Sequence, residues 1–185
     1  MRRIKYLQGG ILIFMSKYKK LVRCRKNGVV YEIEVEGIGE ECEETKVIMN
    51  FIKNISCDKN VFVELCGEAS SINKSAILSL VKDPKHSPLI KMEINPEKLN
   101  SINMLFENRY TYIYIFDHSM EWNNFIEMRK INPYFKKGKL IAMVSLFNLD
   151  STWIKIRDNY DCYVKDLLER FQQKQYSIKM DCIKK

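Results

Sequence analysis

Two runs of alternating apolar and polar residues, joined by Asn27-Gly28, form the clearest pattern in the chain. Asn-Gly is well suited to a two-residue type I′ turn, so residues 20–37 are predicted to form an antiparallel β-hairpin. Counting outward from that turn pairs Cys24 with Tyr31 and collects the apolar residues on one face. The other face carries basic residues opposite acidic ones, which predicts that the charges of the hairpin neutralise one another.

Beyond the hairpin, apolar residues recur alternately with helical and with extended spacing. A first amphipathic helix is predicted around residues 47–55, where glutamates precede the apolar positions, and a last one around residues 164–171. Further helices are predicted at residues 75–81, 96–107 and 120–131, and further strands at 61–66, 90–94, 110–116, 140–147 and 176–183.

This order of elements predicts one α/β (or α+β) domain, in which a mixed sheet begins with the antiparallel hairpin and continues in βα units. The segments 110–116 and 140–147 are almost continuously apolar, which is typical of strands covered on both faces. We therefore expect them at the centre of the sheet, and the segment 176–183 at an edge. No linker rich in Pro, Gly or Ser divides the chain.

The N-terminus predicts a later start for the folded domain than Met1. Codons for Gln8-Gly9-Gly10 can contain a bacterial ribosome-binding site shortly before Met15, so residues 1–14 are expected to be an untranslated leader or a disordered tail. The domain would then span residues 15–185. The apolar run at 11–15 is short and is followed by lysines, which is not the pattern of a secretory signal, so we expect a cytoplasmic bacterial protein.

The composition is that of a folded, basic protein. Hydrophobic residues make up 46% of the chain, and 31 Lys and Arg against 23 Asp and Glu give a net charge of +8. No apolar stretch reaches the ~18 residues that a membrane span needs. The cysteines include no C-x-x-C pair, and the histidines are His86 and His118, so we expect free thiols and neither a metal nor a cofactor.

Two segments resemble the phosphate-binding motifs of P-loop nucleotide-binding proteins. An apolar strand followed by Gly67 and then Lys74-Ser75 resembles a Walker A loop, and the strand that ends in Asp117 resembles Walker B. The resemblance implies a nucleotide site at these four residues. The loop departs from the family pattern, because Asn73 stands where a glycine is expected and the loop is one residue longer. The alternative is a helix capped by Asn or Ser after residue 72, with Asp117 or Ser119 capping the next helix.

Residues 129–139 combine basic and aromatic side chains. Lysine and arginine neutralise phosphates while aromatic rings stack on bases, so this segment is a candidate surface for nucleic acid. The alternative is a solubilising loop. The candidate residues are Arg129, Lys130, Tyr134, Phe135, Lys136, Lys137 and Lys139.

No arrangement of nucleophile, base or metal ligands in the sequence favours an enzyme. We therefore expect a binding protein, and first of all a protein-binding or inhibitory module of the kind found among immunity proteins, antitoxins and phage regulators. Its partner is expected to be another protein and not a membrane. The alternatives are a nucleic-acid-binding accessory protein that uses residues 129–139 and a degenerate P-loop nucleotide-binding protein.

Overall fold

A computed structural model describes residues 20–36, 43–66, 73–82, 89–101, 110–147 and 151–182. The expected leader or tail at residues 1–14 lies outside these ranges, and so does Gly67. The strands of the described ranges are β1 (Leu21–Asn27), β2 (Val30–Glu36), β3 (Asn60–Cys66), β4 (Ile77–Lys82), β5 (Leu89–Ile94), β6 (Tyr110–Phe116), β7 (Leu140–Phe147), β8 (Ser151–Arg157) and β9 (Ser177–Cys182). The α-helices are α1 (Glu43–Ile55), α2 (Trp122–Glu127), α3 (Asn132–Lys136) and α4 (Asp161–Gln173).

All of these strands belong to one sheet with the order β4-β5-β3-β6-β7-β8-β2-β1-β9. Strands β1 and β9 pair in parallel, and each other neighbouring pair is antiparallel. The mixed α/β sheet that begins with an antiparallel hairpin is therefore confirmed. Strands β6 and β7 lie in the middle of the order and β9 at one end, as their apolar patterns predicted.

The hairpin differs from the prediction in its register. Asn27 pairs with Val30, so the turn residues are Gly28 and Val29, and Cys24 pairs with Ile33 in place of Tyr31. Gly28 has a φ of +60°, a left-handed conformation that glycine adopts without a steric cost. A shift of two residues leaves every side chain on its predicted face, because side chains alternate with a period of two.

One face of the sheet carries the larger core. Helices α1 and α4 pack there, since the apolar residues of each recur every three or four positions and form one buried stripe. In α4 that stripe consists of Val164, Leu167, Leu168 and Phe171, and all four are buried. Both helices were predicted from this spacing, and both are confirmed.

The opposite face is covered over only part of its width by the described helices. Helices α2 and α3 lie over β3, β6 and β7, where Phe62, Phe116 and Phe125 form a second core cluster. Further along the sheet, the same face carries ion pairs between strands, such as Arg23 with Glu34 and Lys155 with Glu32. The charges of the hairpin are thus neutralised within the sheet, as its sequence predicted.

The helix predicted at residues 75–81 is wrong. The chain makes one 3₁₀ turn at Lys74–Ala76 and then continues as β4, because residues 77–82 pair with β5. The helix predicted at 120–131 is shorter and ends as α2 at Glu127. At 96–107 the described part is a 3₁₀ helix over Pro96–Ser101, and residues 102–107 lie outside the described ranges.

Candidate functional site

The connection between β6 and β7, residues 117–139, forms a small cap over one face of the sheet. Its two ends meet where the Asp117 N–H donates to the Lys139 carbonyl over 2.9 Å. The Asp117 carboxylate accepts hydrogen bonds from the N–H and the hydroxyl of Ser119, at 3.0 and 2.6 Å. Asp117 therefore stabilises the turn before α2, while the residue that precedes the helix is Glu121, which makes no side-chain cap.

Helix α2 is held on the sheet by Phe125 and by a buried lysine of β5. The Phe125 ring is fully buried and stacks on Phe62 with 4.6 Å between centroids. Lys91 is 3% exposed, and its ammonium donates to the carbonyls of Phe125 and Ile126 at 3.3 and 2.9 Å. These carbonyls lie at the C-terminal end of α2, where a positive charge is favourable.

Helix α3 has two aromatic residues, of which one lies in the core and the other lines a cleft. Pro133 fits the first turn of the helix because its ring presets the helical φ and its missing N–H has no partner there to lose. Phe135 is buried in the second core cluster. Tyr134 is half-buried and meets Phe116 edge to face, with 5.8 Å between centroids.

The turn from α3 to β7 is supported from β8. Gly138 has a φ of +79°, and the Arg157 guanidinium donates from Nη1 to its carbonyl over 2.8 Å. A Cβ at Gly138 would come within 2.9 Å of the same nitrogen. The backbone between Lys137 and Lys139 is thus held in one conformation by a side chain from another strand.

These elements enclose a basic cleft with a volume of about 480 Å³. Four of its lining residues are cationic, Arg129, Lys130, Lys137 and Lys139, and we call them the cationic rim. The others are Met120, Asn124, Glu127, Met128, Pro133 and Tyr134. Within the described ranges, no carboxylate forms an ion pair with Lys130, Lys137 or Lys139, in contrast to the paired cations of the hairpin.

The structure brings together most of the residues that the sequence proposed for nucleic acid. Arg129, Lys130, Tyr134, Lys137 and Lys139 line the one cleft. The other two predicted residues do not contribute to it. Phe135 is buried in the core below, and Lys136 is exposed but does not line the cleft.

The remaining lining residues come mainly from α2 and the turn before it, outside the segment singled out by its charge. Their apolar and polar types give no separate signal in the sequence. The two supporting residues, Lys91 and Arg157, are further away still along the chain, and only the pairing of strands reveals their role.

The residues that resemble a P-loop are not gathered into one site in the described ranges. Strands β3 and β6 are antiparallel, so they end at opposite edges of the sheet. Asp117, which follows β6, is therefore far from Cys66, where β3 ends. Lys74 is exposed and begins a 3₁₀ turn. The Asn73 side chain accepts from the N–H and the hydroxyl of Ser75, which is the capping arrangement expected as the alternative.

Other kinds of site find little support in the described ranges. No group of three or more His, Cys, Asp or Glu side chains there could hold a metal ion. Cys24, Cys57, Cys66 and Cys162 form no disulfide bond within the described ranges. Among the described helices, none has the length and the apolar character to cross a bilayer.

Comparisons with known proteins identify no family for this chain. No family model matches the chain, and no curated protein matches it with significance. Among solved structures, the ATPase domain of MutL from Aquifex aeolicus, complexed with ADP, matches at 9% identity with a TM-score of 0.29. The match covers 90% of this chain and 53% of that chain, so this chain spans about half of its length. A TM-score this low carries no argument.

Proposed function

We propose that the protein binds nucleic acid through the basic cleft. The observation that carries the proposal is the convergence of four cationic side chains and one tyrosine on a single concave surface. Sites that bind small molecules or cofactors usually have volumes of about 300–1,000 Å³, and the volume of this cleft falls within that range.

The distribution of charge on the protein supports this choice of ligand. Several cations on the open part of the sheet face pair with neighbouring carboxylates, for example Arg23 with Glu36 at 2.6 Å. Lys130, Lys137 and Lys139 have no such partner among the described residues. Cations without internal partners attract phosphates and release the counterions condensed on them, which provides the main drive for binding nucleic acid.

Neutralising a lysine of the cationic rim tests this proposal. Lys137→Gln should weaken binding of a short fluorescein-labelled single-stranded oligonucleotide by about tenfold at low salt, since one charge-assisted contact is worth ~1.5 kcal/mol. The slope of log K against log salt should fall in magnitude by about 0.7, which is the contribution of one phosphate contact in a single strand. Both quantities are measured by fluorescence anisotropy across a salt series.

The neighbouring lysine is a matched control for this experiment. Lys136 has the same charge and is the last residue of α3, next to Lys137 in the chain, but it does not line the cleft. Lys136→Gln should change the affinity for the oligonucleotide by less than about twofold near physiological salt. At this ionic strength, a lysine that does not contact the ligand is screened from it over ~8 Å. Equal losses in both variants would mean that the whole surface attracts the ligand without a specific site, which would contradict the proposal.

A second candidate function is the protein-binding or inhibitory role expected from the sequence. The observation that favours it is Trp153 on β8, a tryptophan 39% exposed on the part of the sheet face that α2 and α3 leave open. Tryptophan is enriched at the energetic centres of protein interfaces. A partner bound there would contact Trp153 and Glu34 and would leave the basic cleft free. Under either function we propose a cytosolic location, where free thiols persist.

A further inference from the structure

The basic cleft has an apolar floor as well as a cationic rim. Met120 and Met128 line the cleft although they are only 2% and 8% exposed, so they lie at its bottom. Pro133, which is exposed, and Tyr134, which is half-buried, line the cleft as well, and we call these four apolar lining residues the apolar floor. A site that bound phosphates alone would gain nothing from such a surface, because phosphates bind through charge and hydrogen bonds.

We infer that the cleft seats one unpaired nucleotide, with its base on the apolar floor beside Tyr134 and its phosphates on the cationic rim. This inference rests on the proposed function and names the form of nucleic acid that the site takes. An unpaired nucleotide matches both parts of the cleft, because its flat base of low polarity suits the apolar floor and its charged backbone suits the cationic rim. Sequence-tolerant binding of single strands combines these two contacts in the same way.

The concave shape of the site favours a single strand over a duplex. Proteins read duplex DNA by placing a helix or a β-ribbon in a groove, so the reading element protrudes. Here α2 and α3 form the sides of a cleft, and the residues that could meet a base line its inside. A paired base could reach them only after it is unstacked and flipped out of the duplex.

Two polar residues of the cleft also suit a base better than a phosphate. Glu127 and Asn124 lie on α2 and line the same cleft. The Glu127 carboxylate repels phosphate but accepts hydrogen bonds from the amino and imino groups at the edge of an unpaired base. The Asn124 amide can both donate to a base and accept from it.

Three ligands test the inference on the unaltered protein. They are a labelled oligo(dT) strand, the same strand paired with oligo(dA), and an abasic strand of equal length and charge. We expect oligo(dT) to bind at least about tenfold more tightly than the duplex or the abasic strand, because stacking of a base on an aromatic side chain is worth that factor or more. Polyglutamate serves as an anionic competitor that lacks bases and phosphates.

Variants of Tyr134 locate the effect in the cleft. Tyr134→Ala should weaken binding of oligo(dT) by about tenfold or more and leave binding of the abasic strand unchanged. Tyr134→Phe keeps the ring that contacts Phe116 and should bind both strands as the unaltered protein does. Thermal unfolding of both variants shows whether each is folded at the temperature of the assay, and the comparison of the three ligands does not depend on either variant.

The possible outcomes separate this inference from the proposed function. Equal affinity for oligo(dT), the duplex and the abasic strand would overturn the seat for a base while the binding of nucleic acid stands. Absence of binding to all three at low salt would overturn the proposed function itself. Displacement of oligo(dT) by polyglutamate at equal charge concentration would assign the cleft to an acidic polypeptide, and would overturn both.

Discussion

At the scale of single residues, the positions of Lys137 and Lys139 depend on the glycine between them. Gly138 adopts a φ of +79°, and its carbonyl accepts the hydrogen bond from Arg157. A residue with a side chain pays ~1–2 kcal/mol for such a left-handed backbone. Here the added Cβ would also displace the guanidinium, so the substitution would lose the hydrogen bond that fixes the turn.

Gly138→Ala should therefore lower the free energy of unfolding by about 2–3 kcal/mol, the sum of the backbone strain and one lost hydrogen bond. Gly28→Ala is the matched control, since Gly28 also has a positive φ but its Cβ would meet no atom within 4 Å. It should cost only the backbone strain of ~1–2 kcal/mol. Denaturation with urea measures both. Oligonucleotide binding should weaken for Gly138→Ala alone, and weakening in both variants would contradict the role given to Arg157.

At the scale of elements, α2 owes its stability to packing. It has 6 residues, and isolated helices shorter than ~12–15 residues are marginal in water. The Phe125 ring packs on Phe62 and lies 5.5 Å from the Tyr114 ring, and burial raises the pKa of Tyr114 above its ordinary value. Tyr114 therefore stays neutral even at alkaline pH values at which an exposed tyrosine ionises.

Removing the Phe125 ring should loosen this wall of the cleft. Phe125→Ala is expected to lower the free energy of unfolding by about 3–5 kcal/mol, the usual cost of emptying a buried phenylalanine site. Leu78→Ala is the comparison on an exposed position, 63% accessible, and should stay within about 0.5 kcal/mol of the unaltered protein. Equilibrium urea denaturation followed by circular dichroism compares the two. A cost below ~1 kcal/mol for Phe125→Ala would show that α2 is not anchored by this ring.

Local patterns predicted some elements well and others poorly. Helices α1 and α4 were predicted because the apolar residues of each recur at helical spacing and form one continuous stripe. The same stripe is the side of the helix that packs on the sheet. The segment 75–81 was predicted as a helix, but its apolar residues suit either structure over so short a stretch. Pairing with β5, which lies further along the chain, selects the strand, and no local pattern contains that information.

At the scale of the whole molecule, the sequence predicted seven of the nine strands in the described ranges and the central place of β6 and β7. It missed β4 and β8, and it did not predict the direction in which the strands pair. In a sheet of parallel βα units, residues 129–139 would lie at the edge opposite to the usual ligand sites. In the antiparallel sheet, the same residues form a cap that joins two neighbouring strands. The cleft also needs Arg157 from β8 and Lys91 from β5, so it exists only in the folded chain.

An NMR titration of the ¹⁵N-labelled protein with a short single-stranded oligonucleotide shows directly whether the basic cleft binds nucleic acid. Binding in the basic cleft predicts saturable shifts of the amide signals of residues 129–130 and 137–139, which lie at the cleft. It predicts unchanged signals for Trp153 and Glu34 on the open sheet face. Shifts centred on Trp153, with the signals of the cleft unchanged, would contradict binding in the cleft and would assign it to the open face of the sheet.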